Sequence, residues 1–203
     1  MTALRSGAVV CLFAVAGHGR VIPAVALRVR IVDRAQVPKD TLRRAVNAAR
    51  DLFHSAGIRT VWSECEDCGL SDGDTDVEVN ILSSAQENGS ASKSALGYAL
   101  RPGDENSGVS AYVLYGRVQE TAFAHGAFGH ELMATVMVHE ICHLFGLEHS
   151  PEGIMRAKLN PAFMGQRLFT SDQVKRLRSA VMDRLGTYRW RMYQGRTDPL
   201  SSP

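Results

Sequence analysis

One short run of this chain has residue types at a spacing that could do chemistry: His139-Glu140-Ile141-Cys142-His143-Leu144-Phe145-Gly146-Leu147-Glu148-His149. On a helix, positions i and i+4 share a face about one turn apart, so His139 and His143 can present two imidazoles to one metal ion. Gly146 can adopt φ > 0, end the helix and let the chain bring His149 back to the same ion. Three neutral histidines suit zinc at about 2.0–2.1 Å and leave a fourth position for water, whose pKa falls to around 7 on such an ion. Glu140, beside the first ligand, is placed to take a proton from that water as it attacks a carbonyl, and to return it to the leaving amine. A single catalytic Zn2+ is therefore expected. The plainer alternative, histidines satisfied inside a core helix, accounts for neither Glu140 nor the helix-ending Gly146 at this spacing.

The whole pattern H-E-x-x-H-x-x-G-x-x-H resembles that of the metzincin clan of zinc endopeptidases, and Gly146-Leu147-Glu148-His149-Ser150 is most similar to its matrixin branch. The resemblance implies an α/β (α+β) zincin fold: a mixed, twisted sheet with an antiparallel edge strand, a long active-site helix and a C-terminal helix. It also implies a methionine in a tight turn beneath the metal, which Pro151-Glu152-Gly153-Ile154-Met155 supplies as Met155. Leu96-Gly97-Tyr98-Ala99, followed by Pro102-Gly103, looks like the family's edge strand, so Gly97, Tyr98 and Ala99 are expected to hold an extended peptide or protein substrate. Three positions depart from the family. Cys142 stands where matrixins usually carry glycine, and Ala157 replaces the tyrosine of astacins and serralysins, leaving water activation to the metal and Glu140. The stretch 17–23 leaves no room for a cysteine-containing pro-segment. The competing reading is a zinc-binding recognition module without proteolysis, for which Glu140 has no chemical use.

The elements that carry these residues follow from period and punctuation. Ala24 to Val32 alternates apolar residues with Arg28 and Arg30, predicting a strand with one wet face. Pro38 opens a helix whose Leu42, Val46, Ala49, Phe53 and Ala56 recur at helical spacing, with Gly57 as its left-handed stop. Strands are predicted at Ile58–Trp62, Val77–Leu82, Leu96–Leu100 and Val109–Tyr115, with a loop over Cys65–Asp76 and a polar connection over Ser83–Ser94. Leu132, Val136, Val138, Ile141, Leu144 and Phe145 give Glu131–Phe145 an apolar helical face. A final helix spans Ser171–Leu185, with Thr170 and Gln173 as a capping box and Val174, Leu177, Val181 and Leu185 inward. This order implies an α/β sheet with most of its helix on one side.

Composition bounds the rest. With 203 residues, 45% of them hydrophobic, one domain can bury its own core. Lys+Arg 23 against Asp+Glu 21 leaves a net charge of +2 and no basic surplus for nucleic acid. Arg5, the apolar stretch Gly7–Ala16 and the triplet Ala14-Val15-Ala16 read as a signal peptide over 1–16, giving a secreted or periplasmic product without a stable membrane anchor. The alternatives are a buried first strand and a cytoplasmic protein. The catalytic domain is then 17–185, with a C-terminal tail over 186–203. Cys65 and Cys68 form a local disulfide or remain two thiols, and Cys142 reads as a small buried hydrophobe. His125 and His130 either border the cleft or lie on the surface. The acidic loops 72–76 and 104–105 offer calcium ligands, with solvated turns the default.

Overall fold

A computed structural model describes residues 26–64, 77–86, 92, 94–100, 110–159 and 169–194, with side chains through Arg184 in the last stretch. The strands are β1 (Ala26–Asp33), β2 (Arg59–Glu64), β3 (Val77–Leu82), β4 (Gly97–Ala99) and β5 (Ser110–Leu114); the helices are α1 (Lys39–Ser55), α2 (Tyr115–Ala124), α3 (Gly129–Leu144) and α4 (Ser171–Gln194). The sheet order is β2-β1-β3-β5-β4, parallel throughout except that β4 runs antiparallel to β5 at the edge. This is the mixed sheet with an antiparallel edge strand that the sequence resemblance implies.

Alternation places Leu27, Val29 and Ile31 of β1, with Val77, Val79 and Ile81 of β3, in one core with α1 and α3. The other face of β1 is not wet as predicted. Arg30 is only 4% exposed, because the parallel register sets it opposite Glu78, whose Oε2 accepts its Nη2–H at 2.6 Å; the Asn80 amide donates to Oε1 at 2.8 Å. Losing one partner of such a buried pair costs about 3–5 kcal/mol, since the other charge is stranded away from water.

α1 ends where Gly57 takes φ +72°, as its pattern predicts. α3 is more deeply enclosed than an amphipathic stripe would be: every residue from Leu132 to Leu144 is buried, because α1 covers one side while β4 and β5 lie along another. α2 has no counterpart in the sequence reading, and Tyr115, assigned there to a strand, is its first residue. It buries only Val118 and Ala122 and starts without a side-chain cap, so it lacks the two signals that mark a helix in sequence. α4 begins with the predicted capping box, Thr170 N–H to Gln173 Oε1 at 3.1 Å and Gln173 N–H to Thr170 Oγ1 at 3.2 Å, and continues past Leu185 to Gln194. Residues 186–194 of the expected tail are thus helical. Among the described residues, no helix is long and apolar enough to cross a membrane.

Candidate metal centre

The last turns of α3 present His139 and His143 on one side, both buried. The helix stops there because Gly146 takes φ +77°, with its N–H on the His143 carbonyl at 3.0 Å and Leu147 N–H on the Cys142 carbonyl at 3.1 Å. A Cβ at Gly146 would meet nothing within 4 Å, so glycine is required by conformation and not by space. The chain then returns, bringing the exposed His149 to the helical pair, and the three ligand atoms lie within 4.8 Å of one another.

The hydrogen bonds behind the rings decide what the cluster can hold. His139 Nδ1 lies 2.7 Å from the Ile154 carbonyl, and His143 Nδ1 lies 2.7 Å from the Leu147 carbonyl. A carbonyl only accepts, so each Nδ1 carries the proton and each Nε2 is left with a lone pair. These Nε2 atoms face each other at 3.1 Å, and His143 Nε2 is 3.2 Å from His149 Nε2. Lone pairs that close repel unless a cation stands between them, and ligands about 2.0–2.1 Å from a tetrahedral zinc are about 3.3 Å apart. The donor set therefore fits zinc. Burial, reinforced by the neighbouring His143 and His149, pushes the His139 pKa down to about 4 against the opposing Ile154 hydrogen bond, keeping the ring in the neutral form that binds metal.

Glu140, next along the helix, is 6% exposed, and this burial pushes its carboxyl pKa up to about 8. β4 passes directly over it. A Cβ on Gly97 would fall 2.9 Å from Glu140 Cγ, 2.9 Å from Val136 Cγ1 and 2.6 Å from the Tyr112 carbonyl oxygen, so only glycine permits this approach. Tyr98, turned to the opposite face, stacks on Tyr112 with ring centroids 4.6 Å apart, and Ala99 is half-buried. Beyond β4 the sheet has no further strand among the described residues. Met155 is fully buried in the Gly153–Met155 turn, whose Ile154 carbonyl holds His139.

No protein-family model matches the sequence, and no curated protein matches it either. A solved structure is nonetheless similar: the crystal structure of an archaemetzincin from Methanopyrus kandleri, 15% identical, aligns over 77% of this chain and 96% of that one with a TM-score of 0.50. The likeness is one of fold: this chain shares its overall architecture with that protein. The solution structure of TM1509 from Thermotoga maritima, 14% identical over 86% of this chain and 99% of its own, has a TM-score of 0.35, too loose to bear on the fold. The archaemetzincin likeness does not reach the matrixin branch.

Within this fold, the other candidates separate cleanly. His125 is exposed at the end of α2, and half-buried His130 sits in the first turn of α3; neither joins the three-histidine group. Cys142 is fully buried in the core, and its thiol pKa is raised by burial and by the Glu140 charge, so it is inert packing. The signal-peptide segment, Cys65, Cys68 and both acidic loops lie outside the described residues, as does 160–168. Sequence reasoning missed the Leu147 and Ile154 carbonyls, because a backbone acceptor leaves no trace in residue type. It saw Gln173 only as a helix cap, yet that side chain also reaches Ser150 and Glu152.

Proposed function

We propose that this chain is a zinc-dependent endopeptidase acting on a peptide or protein substrate. The observation that carries this reading is the convergence of three histidine Nε2 atoms, two of them with Nδ1 committed to backbone carbonyls. Zinc held by His139, His143 and His149 would supply a Lewis acid that polarises a carbonyl and brings the pKa of a water to about 7. Glu140 serves as base and then acid: next along the helix from His139 and directly under β4, its carboxyl stands where it can take a proton from a water on the metal and give it to the leaving amine. Gly97, Tyr98 and Ala99 offer the outer edge of β4 to an extended substrate, which adds as a further strand beside Glu140. Met155 floors the centre through its buried turn.

Placement in the matrixin branch rests on Gly146 to Ser150 alone, and export rests on the residue pattern over 1–16. A recognition module that only binds zinc would have no reason to keep a carboxyl group buried beside its ligands at Glu140. The test compares the full chain with Glu140→Gln. Both should retain one zinc by elemental analysis, while cleavage of an unstructured protein falls about 10²–10⁴-fold in the variant. Equal cleavage by the two proteins removes Glu140 from the chemistry, and metal-free wild type removes the zinc reading.

A further inference from the structure

Two of the three histidine rings are held from behind by carbonyls; among the described residues, no carbonyl holds the ring of His149. Apart from its contacts with the His139 and His143 rings, this exposed ligand is held among the described residues through the backbone that follows it. Ser150, the next residue, is tied to the turn before α4: its N–H donates to the Met155 carbonyl at 2.8 Å and its hydroxyl to the Glu152 carbonyl at 2.6 Å. Gln173, the third residue of α4 and 5% exposed, reaches across to this same loop. Its Nε2 donates to Ser150 Oγ and to the Glu152 carbonyl, both at 2.8 Å, and its Oε1 accepts the Thr170 N–H at 3.1 Å.

The orientation of this amide is not open to exchange. The Glu152 carbonyl only accepts and the Thr170 N–H only donates, so nitrogen must face the loop and oxygen the cap. Gly153 completes the fit, since a Cβ there would stand 2.3 Å from Gln173 Oε1. The loop so held contains both Ser150, adjoining His149, and Ile154, whose carbonyl fixes the His139 ring. One buried amide thus spans the link between α4 and two of the three ligands.

We propose that Gln173 is a positioning residue for the metal centre, setting His149 and His139 through the 150–155 loop. The inference rests on the three-histidine reading and is tested by metal affinity, independently of proteolysis. Zinc binding to the full chain is measured by chelator competition, and Co2+ absorption reports ligand geometry. Gln173→Met, which has no donor, and Gln173→Glu, which has none when ionised, should weaken zinc by about 10–100-fold at alkaline pH and alter the Co2+ spectrum, the usual scale for lost outer-shell support. Thr170→Ala, which removes the cap hydroxyl and keeps the Gln173–loop bonds, should lower the unfolding midpoint and leave zinc affinity unchanged. If the Gln173 variants fail to fold, Ser150→Ala removes one of the two Gln173–loop bonds together with the hydroxyl's own bond to the Glu152 carbonyl, and should itself weaken zinc several-fold. Wild-type zinc affinity in a folded Gln173 variant, or in folded Ser150→Ala where that variant stands in, overturns the proposal. So does an equal loss in Thr170→Ala, which would make the effect mere loosening of α4. Wild type that binds no zinc at all overturns the three-histidine reading, and this inference with it.

Discussion

The contact between β4 and α3 is the most exacting feature of the site, and Gly97→Ala probes it with a single methyl group. Gly97 does not adopt a positive φ, so the cost of the substitution is one of space. The new Cβ would lie 2.6 Å from the Tyr112 carbonyl oxygen, against the 3.4 Å at which ordinary contact begins, so β4 must retreat from β5 by about 0.8 Å. Glu140 Cγ and Val136 Cγ1, each 2.9 Å away, must open by about 0.5 Å. Overpacking of this kind costs about 1–3 kcal/mol, and a three-residue edge strand can yield outward, which favours the lower half of that range. The chemistry should suffer more than the fold. A misplacement of 1 Å can cost about 10² in rate, so a shift somewhat smaller should lower kcat/KM about tenfold with zinc content unchanged. Urea unfolding of the zinc-loaded protein and cleavage of an unstructured substrate read the two effects. An unaltered midpoint together with unaltered cleavage would refute the close approach of β4 to Glu140.

Gly146→Ala tests the opposite case, conformation without crowding: at φ +77° with open space around the Cβ, alanine should cost about 1–2 kcal/mol in urea unfolding and weaken zinc through His149. Gly146→Asn, better tolerated in that region, should recover part of both losses, and an alanine variant as stable as wild type would contradict the turn. Burial raises the Asp33 pKa above its ordinary 3.8, despite hydrogen bonds from the backbone of Val37, Ala35 and Gln36. The folded state therefore holds this proton longer than the unfolded chain, and the stability it contributes is complete below about pH 3.8 and lost as pH rises through the folded pKa. Asp33→Asn keeps an oxygen for the Val37 N–H, now 2.8 Å from Oδ2, and should flatten that decline; parallel wild-type and variant profiles of unfolding midpoint against pH would contradict this assignment.

Chain-local properties were legible without coordinates. The i, i+4 pair His139 and His143, the left-handed Gly146, the stop at Gly57 and the Thr170–Gln173 cap each depend on residues within one or two helical turns. The strand over Val77–Leu82 and the edge strand around Gly97 were legible for the same reason, as short apolar runs closed by turn residues. The likeness of the assembled fold to a zincin was reached from motif residues alone and is met by the sheet order.

Tertiary structure decided what depends on segments far apart in the chain. Arg30 was read as wet because alternation shows which face a side chain takes but not what lies there; Glu78, 48 residues on, makes that face a buried ion pair. α2 was invisible because two buried residues carry too little period to stand out. The tautomers of His139 and His143 come from carbonyls, and every residue type has a carbonyl. The sequence thus determined which side chains can meet a metal, since helix spacing and a glycine suffice for that. Only packing decided how tightly those side chains are held, because the groups that hold them, β4 over Glu140 and Gln173 over the 150–155 loop, arrive from other parts of the fold.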